Sequence, residues 1–321
     1  MNPTGGHTGL LSPDAVKVAI EGIAWEEFTR ESQPGYLSAT DPFFFKQENS
    51  GYANVYDVGS NVGAFEKTCE QEVINNTNTL IGNTVTKFSQ KYTKQIPISD
   101  EAFRDDRHNV RAQLGRQVGD RARYTVDKFG ILESYGDAFA GSVNTTDDSV
   151  ALASNSHVTL GGYTVDNLET GSLTPDNLWT CTVSLAGQRA QDAELGSHVF
   201  EGLVLPFLLF KTGKEVMNSQ LLANSGENNI NVFDTDYGEV RVAASTILGS
   251  AYNSATNANT SYHLVGRNHQ IVRHSFYGLV TSMLSPEQTT TDSYVMRYKF
   301  NERTYPKTWT AYVGSNGSAA S

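Results

Sequence analysis

The sequence is poor in cysteine, in basic residues and in long apolar runs. Among 321 residues it has two cysteines, Cys69 and Cys181, too few for a disulfide framework or a cysteine metal site. The apolar run 199–210 is broken by Glu201 and Pro206 and is shorter than the ~20 residues of a membrane span. The first residues lack the charged and apolar regions of a signal peptide. We therefore expect an intracellular chain that does not enter the membrane.

The balance of charge also excludes a class of function. The formal net charge is −11, whereas proteins that bind nucleic acid tightly neutralise its phosphates with surplus lysine and arginine. A container for nucleic acid is still allowed, because its wall need not hold the contents tightly.

Familiar catalytic and cofactor motifs are missing. The segment 210–214 resembles a phosphate-binding loop, but Leu208 stands where its first glycine is required and Glu215 where Ser or Thr would bind magnesium. The segment 234–238 resembles a calcium loop, but its glycine is one residue early and Ser245 replaces the bidentate glutamate. We expect a turn between two strands at 234–238. We predict no enzymatic activity and no cofactor.

The histidines form no HExxH motif and no metal-binding spacing with cysteine. We expect each of them to be a surface residue or a hydrogen-bonded structural residue. They are His7, His108, His157, His198, His263, His269 and His274.

The N-terminal part predicts one helix followed by irregular chain. Ser12-Pro13-Asp14 has the residue types of a helix start, and Pro34-Gly35 is a stop signal. An apolar stripe at helical spacing lies between these signals, formed by Val16, Ile20, Ile23, Ala24 and Phe28. Residues 36–63 are predicted to be irregular, and their Phe43-Phe44-Phe45 cluster could be buried in its own chain or against a neighbouring subunit.

Residues 64–98 predict a long polar hairpin. Segments 65–74 and 84–98 alternate as strands on both sides of a turn. A two-stranded ribbon with few apolar residues is marginal alone. It therefore needs another surface to lie against.

Residues 100–140 carry the strongest helical signal. A helix of this length would extend about 60 Å, and we expect a bend or break near Gly115, Gly119 or Gly130, since each costs about 1 kcal/mol relative to alanine. The predicted helix carries a group of basic residues, Arg104, Arg107, Arg111, Arg116, Arg121, Arg123 and Lys128. Acidic residues at spacings that allow ion pairs lie among them, namely Asp105, Asp106, Asp120, Asp127 and Glu133.

The C-terminal half mixes helices and strands. Thr174-Pro175-Asp176 predicts a helix that reaches residue 190, and a buried strand at 198–210 precedes a short helix at 212–222. Further strands are predicted by alternation or β-branched content at 228–234, 238–245, 260–267, 270–284 and 293–314. The fold class is therefore α+β.

The order of these segments resembles the HK97-like fold of the major capsid proteins of tailed double-stranded-DNA bacteriophages (Caudoviricetes), and its middle resembles the Mu-type branch. The resemblance covers roughly residues 60–270. It rests on the succession of IPISDEAF (96–103), ALASNSHVTLGG (151–162), LTPDNL (173–178), LVLP (203–206), EVMNS (215–219), NNINVF (228–233) and GEVRV (238–242).

The resemblance implies four parts of a capsid subunit. They are an N-terminal arm with a short helix (1–63), an E-loop hairpin (64–95), a P-domain with a long spine helix (96–175 with 271–321) and an A-domain (176–270). The subunit would assemble with itself into pentamers and hexamers around double-stranded DNA, without sequence-specific binding. It would assemble in the bacterial host cytoplasm and reside in the virion.

The resemblance also implies partners and contact residues. Because no long charged helical extension precedes the first predicted helix, we expect a separate scaffolding protein, together with a portal and possible decoration proteins. Intersubunit contacts are predicted for the E-loop at Phe65, Lys67, Val85, Lys87, Phe88 and Tyr92, and for the N-arm at Phe43, Phe44 and Phe45. No lysine in or near the hairpin is marked as a cross-linking residue.

Two other functions stay open at the level of sequence. An encapsulin-type nanocompartment shares the fold but encloses an enzyme. A polysaccharide-binding or polysaccharide-hydrolysing phage tail protein would fit the content of asparagine, threonine and aromatic residues, although such proteins usually show repeats or a carboxylate pair, and neither is evident here.

Overall fold

The computed structural model describes residues 13–30, 33, 35–39, 41–48, 51–59, 80–100, 110–219, 231–237, 240–255, 257–288 and 293–317. Its α-helices are α1 (Pro13–Thr29), α2 (Val110–Ile131), α3 (Pro175–Ala186), α4 (Phe210–Asn218) and α5 (Val232–Asp236). Its strands are β1 (Phe45–Glu48), β2 (Ala53–Gly59), β3 (Ile81–Phe88), β4 (Gln90–Ser99), β5 (His157–Val158), β6 (Thr164–Val165), β7 (Leu168–Glu169), β8 (Phe200–Pro206), β9 (Arg241–Ser245), β10 (Tyr262–Gly266), β11 (Ile271–Leu284), β12 (Ser293–Pro306) and β13 (Tyr312–Ser315). The predicted α+β class is confirmed.

The chain divides into two compact units, each built from discontinuous segments. Unit 1 draws its described residues from the ranges 1–31, 89–126 and 275–302, and unit 2 from 32–88, 127–274 and 303–321. Residues 127–175 and 303–321 thus cluster with 176–270. The P-domain and A-domain boundaries implied by the capsid resemblance do not coincide with this division and stay a prediction.

In unit 1, α1 packs against α2 at close range. The buried side chains Val16, Ile20, Ala24 and Phe28 form the predicted stripe of α1. A Cβ added at Gly115 of α2 would lie 3.0 Å from the carbonyl oxygen of Ile20. At Gly119 it would overlap the carbonyl of Ala24. Both glycines therefore allow the two backbones to approach.

Of the three glycines near which a bend or break is predicted, Gly115 and Gly119 lie inside a continuous helix, whereas Gly130 lies one residue before its end. The helix α2 runs without interruption through both residues and through Gly130, and the π-helix Leu132–Gly136 follows it. The conformational cost of the glycines is offset because they create room for α1. At 22 residues, α2 is roughly 33 Å long; residues 101–109 lie outside the described residues.

The sheet of unit 1 is formed by long strands. β4 pairs antiparallel with β12 from Ser99↔Ser293 to Gln90↔Glu302, and β11 lies on the other side of β12. Tyr92 stacks on Phe300 with ring centroids 5.0 Å apart. The predicted strand 84–98 is therefore two strands, β3 and β4, which separate at Ser89 and belong to different sheets.

Unit 2 is organised around a sheet with the strand order β7-β13-β10-β8-β9. Neighbouring residues along a strand point to opposite faces, so one hydrophobic cluster contains Val204 and Val265 and a second contains Leu203 and Leu264. The first cluster includes Tyr135 and the second covers α3. Thr174 caps α3, its hydroxyl accepting from the backbone N–H of Asn177, which confirms the predicted helix start.

Two predicted strands of unit 2 have a different structure. The strand predicted over 198–210 ends at Pro206, after which a 3-10 turn and α4 turn the chain away. Within the strand predicted over 228–234, residues 232–234 belong to the helix α5, and residues 228–230 lie outside the described residues. The side chain of Asn231 accepts a hydrogen bond from the N–H of Phe233 at 3.1 Å, and this cap favours a helix over the predicted strand.

Candidate assembly surfaces

The structure shows a two-stranded ribbon of β2 and β3, called the hairpin below, whereas the first strand of the predicted hairpin, 65–74, lies outside the described residues. β2 pairs antiparallel with β3 from Ala53↔Phe88 to Gly59↔Ile81. The prediction that 36–63 is irregular is therefore wrong for β1 and β2. Residues 60–79, which include Phe65 and Lys67, lie outside the described residues.

The hairpin exposes apolar side chains. The exposed fractions are 77% for Ile81, 58% for Val55 and 52% for Phe88. Tyr52, whose ring lies 5.8 Å from that of Phe88, and Leu80 are also exposed. We call Tyr52, Val55, Leu80, Ile81 and Phe88 the hairpin surface. The exposed polar pair Asp57 and Thr84 lies between Val55 and Ile81 in the strand register, so the hairpin surface is a candidate contact surface and not one continuous apolar patch.

Sequence reasoning missed most of the hairpin surface, because β2 inverts the usual pattern of burial. Asn54 is 2% exposed whereas its neighbour Val55 faces solvent. The amide of Asn54 donates to the hydroxyl of Tyr305 and to Oε1 of Gln47, and these bonds make its burial possible.

The root of the hairpin is fixed to the rest of unit 2 by two basic side chains. Arg303 donates from Nη1 to the carbonyl of Phe88 at 3.2 Å and from Nη2 to Oδ1 of Asn144 at 3.0 Å. Lys87 donates from Nζ to the carbonyl of Thr145 at 3.3 Å. Burial, and then the charge of Arg303, lower the pKa of Lys87. Lys87 is therefore engaged within its own chain.

The remaining predicted E-loop residues are less exposed. Val85 is half-buried and pairs with Tyr56 across the hairpin. Tyr92 lies in β4 and stacks on Phe300, so it is a residue of the unit 1 sheet and not of the hairpin. Contacts of Val85 and Tyr92 with another subunit stay predictions.

The phenylalanine cluster is divided between core and surface. Phe43 and Phe44 are 6% and 5% exposed and belong to a hydrophobic cluster of unit 2, and the hydroxyl of Tyr135 donates to the carbonyl of Phe43. The prediction that these two side chains contact a neighbouring subunit is therefore corrected, because their own chain covers them. Phe45 is 44% exposed beside the ring of His269, and its contact with a neighbour stays a prediction.

The described basic residues of α2 differ in their surroundings. Arg116 and Arg121 are exposed, and among the described residues no carboxylate lies within 4.0 Å of either guanidinium. Lys128 lies 5.7 Å from the centroid of the Tyr252 ring. Arg111 and Arg123 are half-buried, and Arg104 and Arg107 lie outside the described residues.

Two of the acidic residues interleaved with these basic residues contact other segments of the chain. Oδ1 of Asp127 accepts hydrogen bonds from the hydroxyl of Ser38 and the N–H of Ala39, both at 2.8 Å. Oε2 of Glu133 lies 4.0 Å from Nε of Arg303. These two carboxylates therefore join the helical segment to other parts of unit 2. Asp105 and Asp106 lie outside the described residues.

A buried polar network surrounds one of the histidines. Nδ1 of His157 lies 2.8 Å from Oδ2 of Asp148, and the ring stacks on Trp309. Burial raises the pKa of Asp148, but hydrogen bonds from His157 and Thr146 outweigh it, and the net pKa is lowered. Next to it, burial and then the charge of Asp148 raise the pKa of Asp147 to about 6.

Two further histidines are hydrogen-bonded structural residues, as predicted. Nδ1 of His263 lies 2.6 Å from the hydroxyl of Tyr312, and burial lowers the pKa of His263 to about 3. Nε2 of His269 lies 3.2 Å from the carbonyl of Pro42. His198 departs from the prediction, since its buried Nε2 lacks a hydrogen-bond partner within the part of the chain that the structure describes. His7 and His108 lie outside the described residues.

The motifs that resembled ligand loops have ordinary structural roles. Residues 210–214 form the first turns of α4, and Asp234 lies in α5 and not in the predicted turn between strands. The described ranges contain no group of three or more histidine, cysteine or acidic side chains placed to hold a metal. Nor do they include a helix with the length and apolarity to cross a membrane.

Comparison with known proteins finds likeness in structure alone. Neither a scan of protein-family models nor a search of curated proteins gives a match. The capsid of Ralstonia phage GP4 matches with a TM-score of 0.57 and 11% identity, over 91% of this chain and 96% of the other. The virus-like particle from Pyrococcus furiosus matches with a TM-score of 0.53 and 9% identity, over 92% of this chain and 97% of the other. The capsid of a native GTA particle matches with a TM-score of 0.56 and 11% identity, over 91% and 94%.

These matches run nearly end to end in both chains, so they concern the whole architecture and not one shared motif. They do not single out the Mu-type branch, which stays a prediction. The chain has the HK97-like fold of phage major capsid proteins.

Proposed function

We propose that this chain is the major capsid subunit of a tailed double-stranded-DNA bacteriophage. Copies of it would form pentamers and hexamers that close into an icosahedral shell around the genome. The observation that carries the proposal is the exposed hairpin surface in a chain that has a capsid fold.

The hairpin surface needs a partner for physical reasons. Val55, Ile81 and Phe88 are each more than half exposed, and β2 and β3 pair with no further strand within the described residues. Covering these side chains on a second copy would remove apolar area from water at a gain of about 25 cal/mol per Å². Stable contacts between subunits bury roughly 800 Å² per partner, so the hairpin would supply one part of a larger interface.

The enclosed DNA would be held without sequence-specific contacts. The net charge of −11 opposes tight binding of phosphate, and Arg116 and Arg121 expose their charges on α2. If α2 lines the inner wall, replacing Arg111 and Arg116 with glutamate should lower the density of packaged DNA or particle stability in a salt-dependent way, while empty shells form normally. If empty shells fail to form, these arginines serve subunit contacts instead. If this face of α2 is solvated and has neither role, the replacement should change neither the packaged particles nor the formation of empty shells.

We also propose names for the parts of the subunit and a set of partner proteins. The arm (1–63), E-loop (64–95), P-domain (96–175 with 271–321) and A-domain (176–270) remain proposals. β2, which pairs with β3, falls within the proposed arm. A separate scaffolding protein, a portal and decoration proteins are the proposed partners. Assembly would take place in the host cytoplasm, and the chain would have no enzymatic role.

An encapsulin-type shell is the alternative with the same fold. A phage capsid and an encapsulin-type shell would differ in their contents. If this chain forms an encapsulin-type shell, a particle purified from its native host would hold an enzyme and not double-stranded DNA. The tail-protein alternative receives no support from the fold.

The test changes one residue of the hairpin surface. Ile81→Glu should leave the thermal midpoint of the unassembled chain within about 2 °C, because a surface substitution changes stability by roughly 0.5 kcal/mol or less. With scaffold present, it should reduce the yield of particles at least about tenfold by electron microscopy and light scattering. Ile81→Val, which keeps an apolar side chain at the same position, is the control and should assemble normally. Normal shells from Ile81→Glu would contradict the role of the hairpin surface.

A further inference from the structure

Unit 2 contains a polar cavity that the assembly surfaces do not use. Its volume is about 440 Å³, which lies within the range of small-ligand sites and far exceeds the room for one water molecule. Four segments meet around it, namely residues 56–59 at the end of β2, 190–198 after α3, 268–270 between β10 and β11, and 307–310 between β12 and β13. We call it the 307 cavity.

The 307 cavity contains a cation without a counter-charge. Nζ of Lys307 lies 5.0 Å from the centroid of the Tyr56 ring. Across the described residues, no carboxylate comes within 4.0 Å of this ammonium group. Burial lowers the pKa of Lys307, which reflects the cost of holding a charge away from water. An anion in the cavity would offset that cost.

Hydrogen-bonding groups without partners lie in the same wall. The hydroxyl of Tyr56 and Nε2 of His198 are buried, and neither has a hydrogen-bond partner in the part of the chain that is described. Buried polar atoms are normally satisfied by protein, water or ligand. The hydroxyls of Thr308 and Thr310 hydrogen-bond to each other at 2.6 Å, so one of their two protons is left to donate to a ligand. The hydroxyl of Tyr56 and Nε2 of His198 are both closed off from the cavity in this structure, and Nε2 of His198 packs against Gly196. The oxygens of a ligand would therefore reach Tyr56 and His198 only after the neighbouring side chains shift.

Two acidic residues lie near the cavity. Asp57 is exposed at the cavity, and its Oδ1 accepts a hydrogen bond from the hydroxyl of Thr84 at 2.5 Å. Asp147 does not line the cavity, and its Oδ2 accepts from Nε2 of Gln191 at 3.1 Å. Solvent screens the charge of Asp57, whereas the charge of Asp147 contributes to raising the pKa of Tyr56. Among the described lining residues, Lys307 supplies the positive charge.

We propose that the 307 cavity binds a small oxyanion, with Lys307 as its counter-charge and with Tyr56 and His198 as hydrogen-bonding partners. The ligand group is a phosphate or a carboxylate, since both present charged oxygen acceptors. The proposal does not depend on assembly, because every group named belongs to one chain.

The experiment titrates the purified full-length chain with inorganic phosphate at constant ionic strength, using calorimetry, and repeats the titration with acetate to separate phosphate from carboxylate. Saturable binding of at least one anion is expected. Lys307→Met should weaken that binding about tenfold or more, the usual loss for a charge-assisted hydrogen bond. The matched control is Lys299→Met, because Lys299 also lies near a tyrosine ring, 5.9 Å from the centroid of Tyr277, but is exposed.

A second variant protects the test against a folding defect. Tyr56→Phe keeps the ring and removes only the buried hydroxyl oxygen, so it should weaken anion binding severalfold while the thermal midpoint stays the same or rises. Lys307→Arg should retain part of the affinity. Absence of saturable binding of both anions would overturn the proposal. So would equal affinity in wild type, Lys307→Met and Tyr56→Phe.

Discussion

The crossing of α1 and α2 makes a quantitative prediction about two glycines. Alanine in place of glycine inside a helix normally stabilises it by about 1 kcal/mol. At Gly119 the added methyl would overlap the carbonyl oxygen of Ala24 and lie 2.8 Å from Cβ of Glu27. At Gly22 of α1 nothing lies within 4 Å of the added Cβ. The same substitution should therefore have opposite effects at the two positions.

The expected magnitudes follow from the two environments. Overpacking against a fixed backbone costs about 1–3 kcal/mol, which outweighs the gain in helix propensity, so Gly119→Ala should lower the free energy of unfolding by roughly 1–2 kcal/mol. Gly22→Ala should raise it by about 0.5–1 kcal/mol. The two variants should thus differ by about 1.5–3 kcal/mol, the sum of these effects.

The measurement is urea unfolding of the unassembled chain, combined with hydrogen exchange of the α1 amides, which reports on unit 1 directly. With a slope of about 1–3 kcal/mol per molar urea, the midpoints should differ by roughly 0.5 M or more. If Gly119→Ala is as stable as Gly22→Ala, the close approach of α1 and α2 does not require glycine at position 119.

Three further predictions concern unit 2. Because the pKa of Asp147 is raised from 3.8 to about 6 by burial and then by Asp148, the folded chain binds this proton more tightly, and stability falls as the pH rises from about 4 to about 6. Asp147→Asn should therefore stabilise the chain by about 1–2 kcal/mol at pH 7.5 and hardly at all below pH 4. An equal gain in stability at both pH values, measured by urea unfolding, would contradict this prediction. Burial raises the pKa of Cys181 to about 12. In a Cys69→Ser background, iodoacetamide at pH 8 should therefore modify Cys181 only after the chain unfolds. Rapid labelling of the native chain, followed by mass spectrometry, would contradict this prediction. Thr174→Ala removes the cap of α3 and should cost about 1 kcal/mol, seen as a lower thermal midpoint; an unchanged midpoint would mean that the cap adds nothing.

Where periodicity and burial agree, the sequence predicted the fold well. The stripe of α1, the cap of α3 and the strands β9 to β13 lie in or close to the expected positions, because their apolar residues face a core. The order of segments also led to the HK97-like fold. These features depend on local signals, which a sequence displays directly.

The failures have a shared cause in tertiary contacts. Asn54 is buried because Tyr305, 251 residues away, accepts from its amide, so β2 does not show the alternation expected of a strand. Gly119 was interpreted as a helix breaker because the approach of α1 is not visible in the sequence. The 307 cavity is assembled from four distant segments, and its lysine, histidine and tyrosine form no motif along the chain.

The hairpin has a consequence for the time that a newly made chain spends alone. β2 and β3 form a two-stranded sheet in the described residues, so their outer edges offer backbone donors and acceptors to any passing strand. Productive burial on a shell and irreversible aggregation would then compete for the same edges. Slower synthesis does not by itself protect such a chain from aggregation. A growing shell nearby does, because it shortens the time that the chain spends unassembled. The yield of recombinant protein should therefore depend more on the supply of assembly partners than on the stability of the folded subunit.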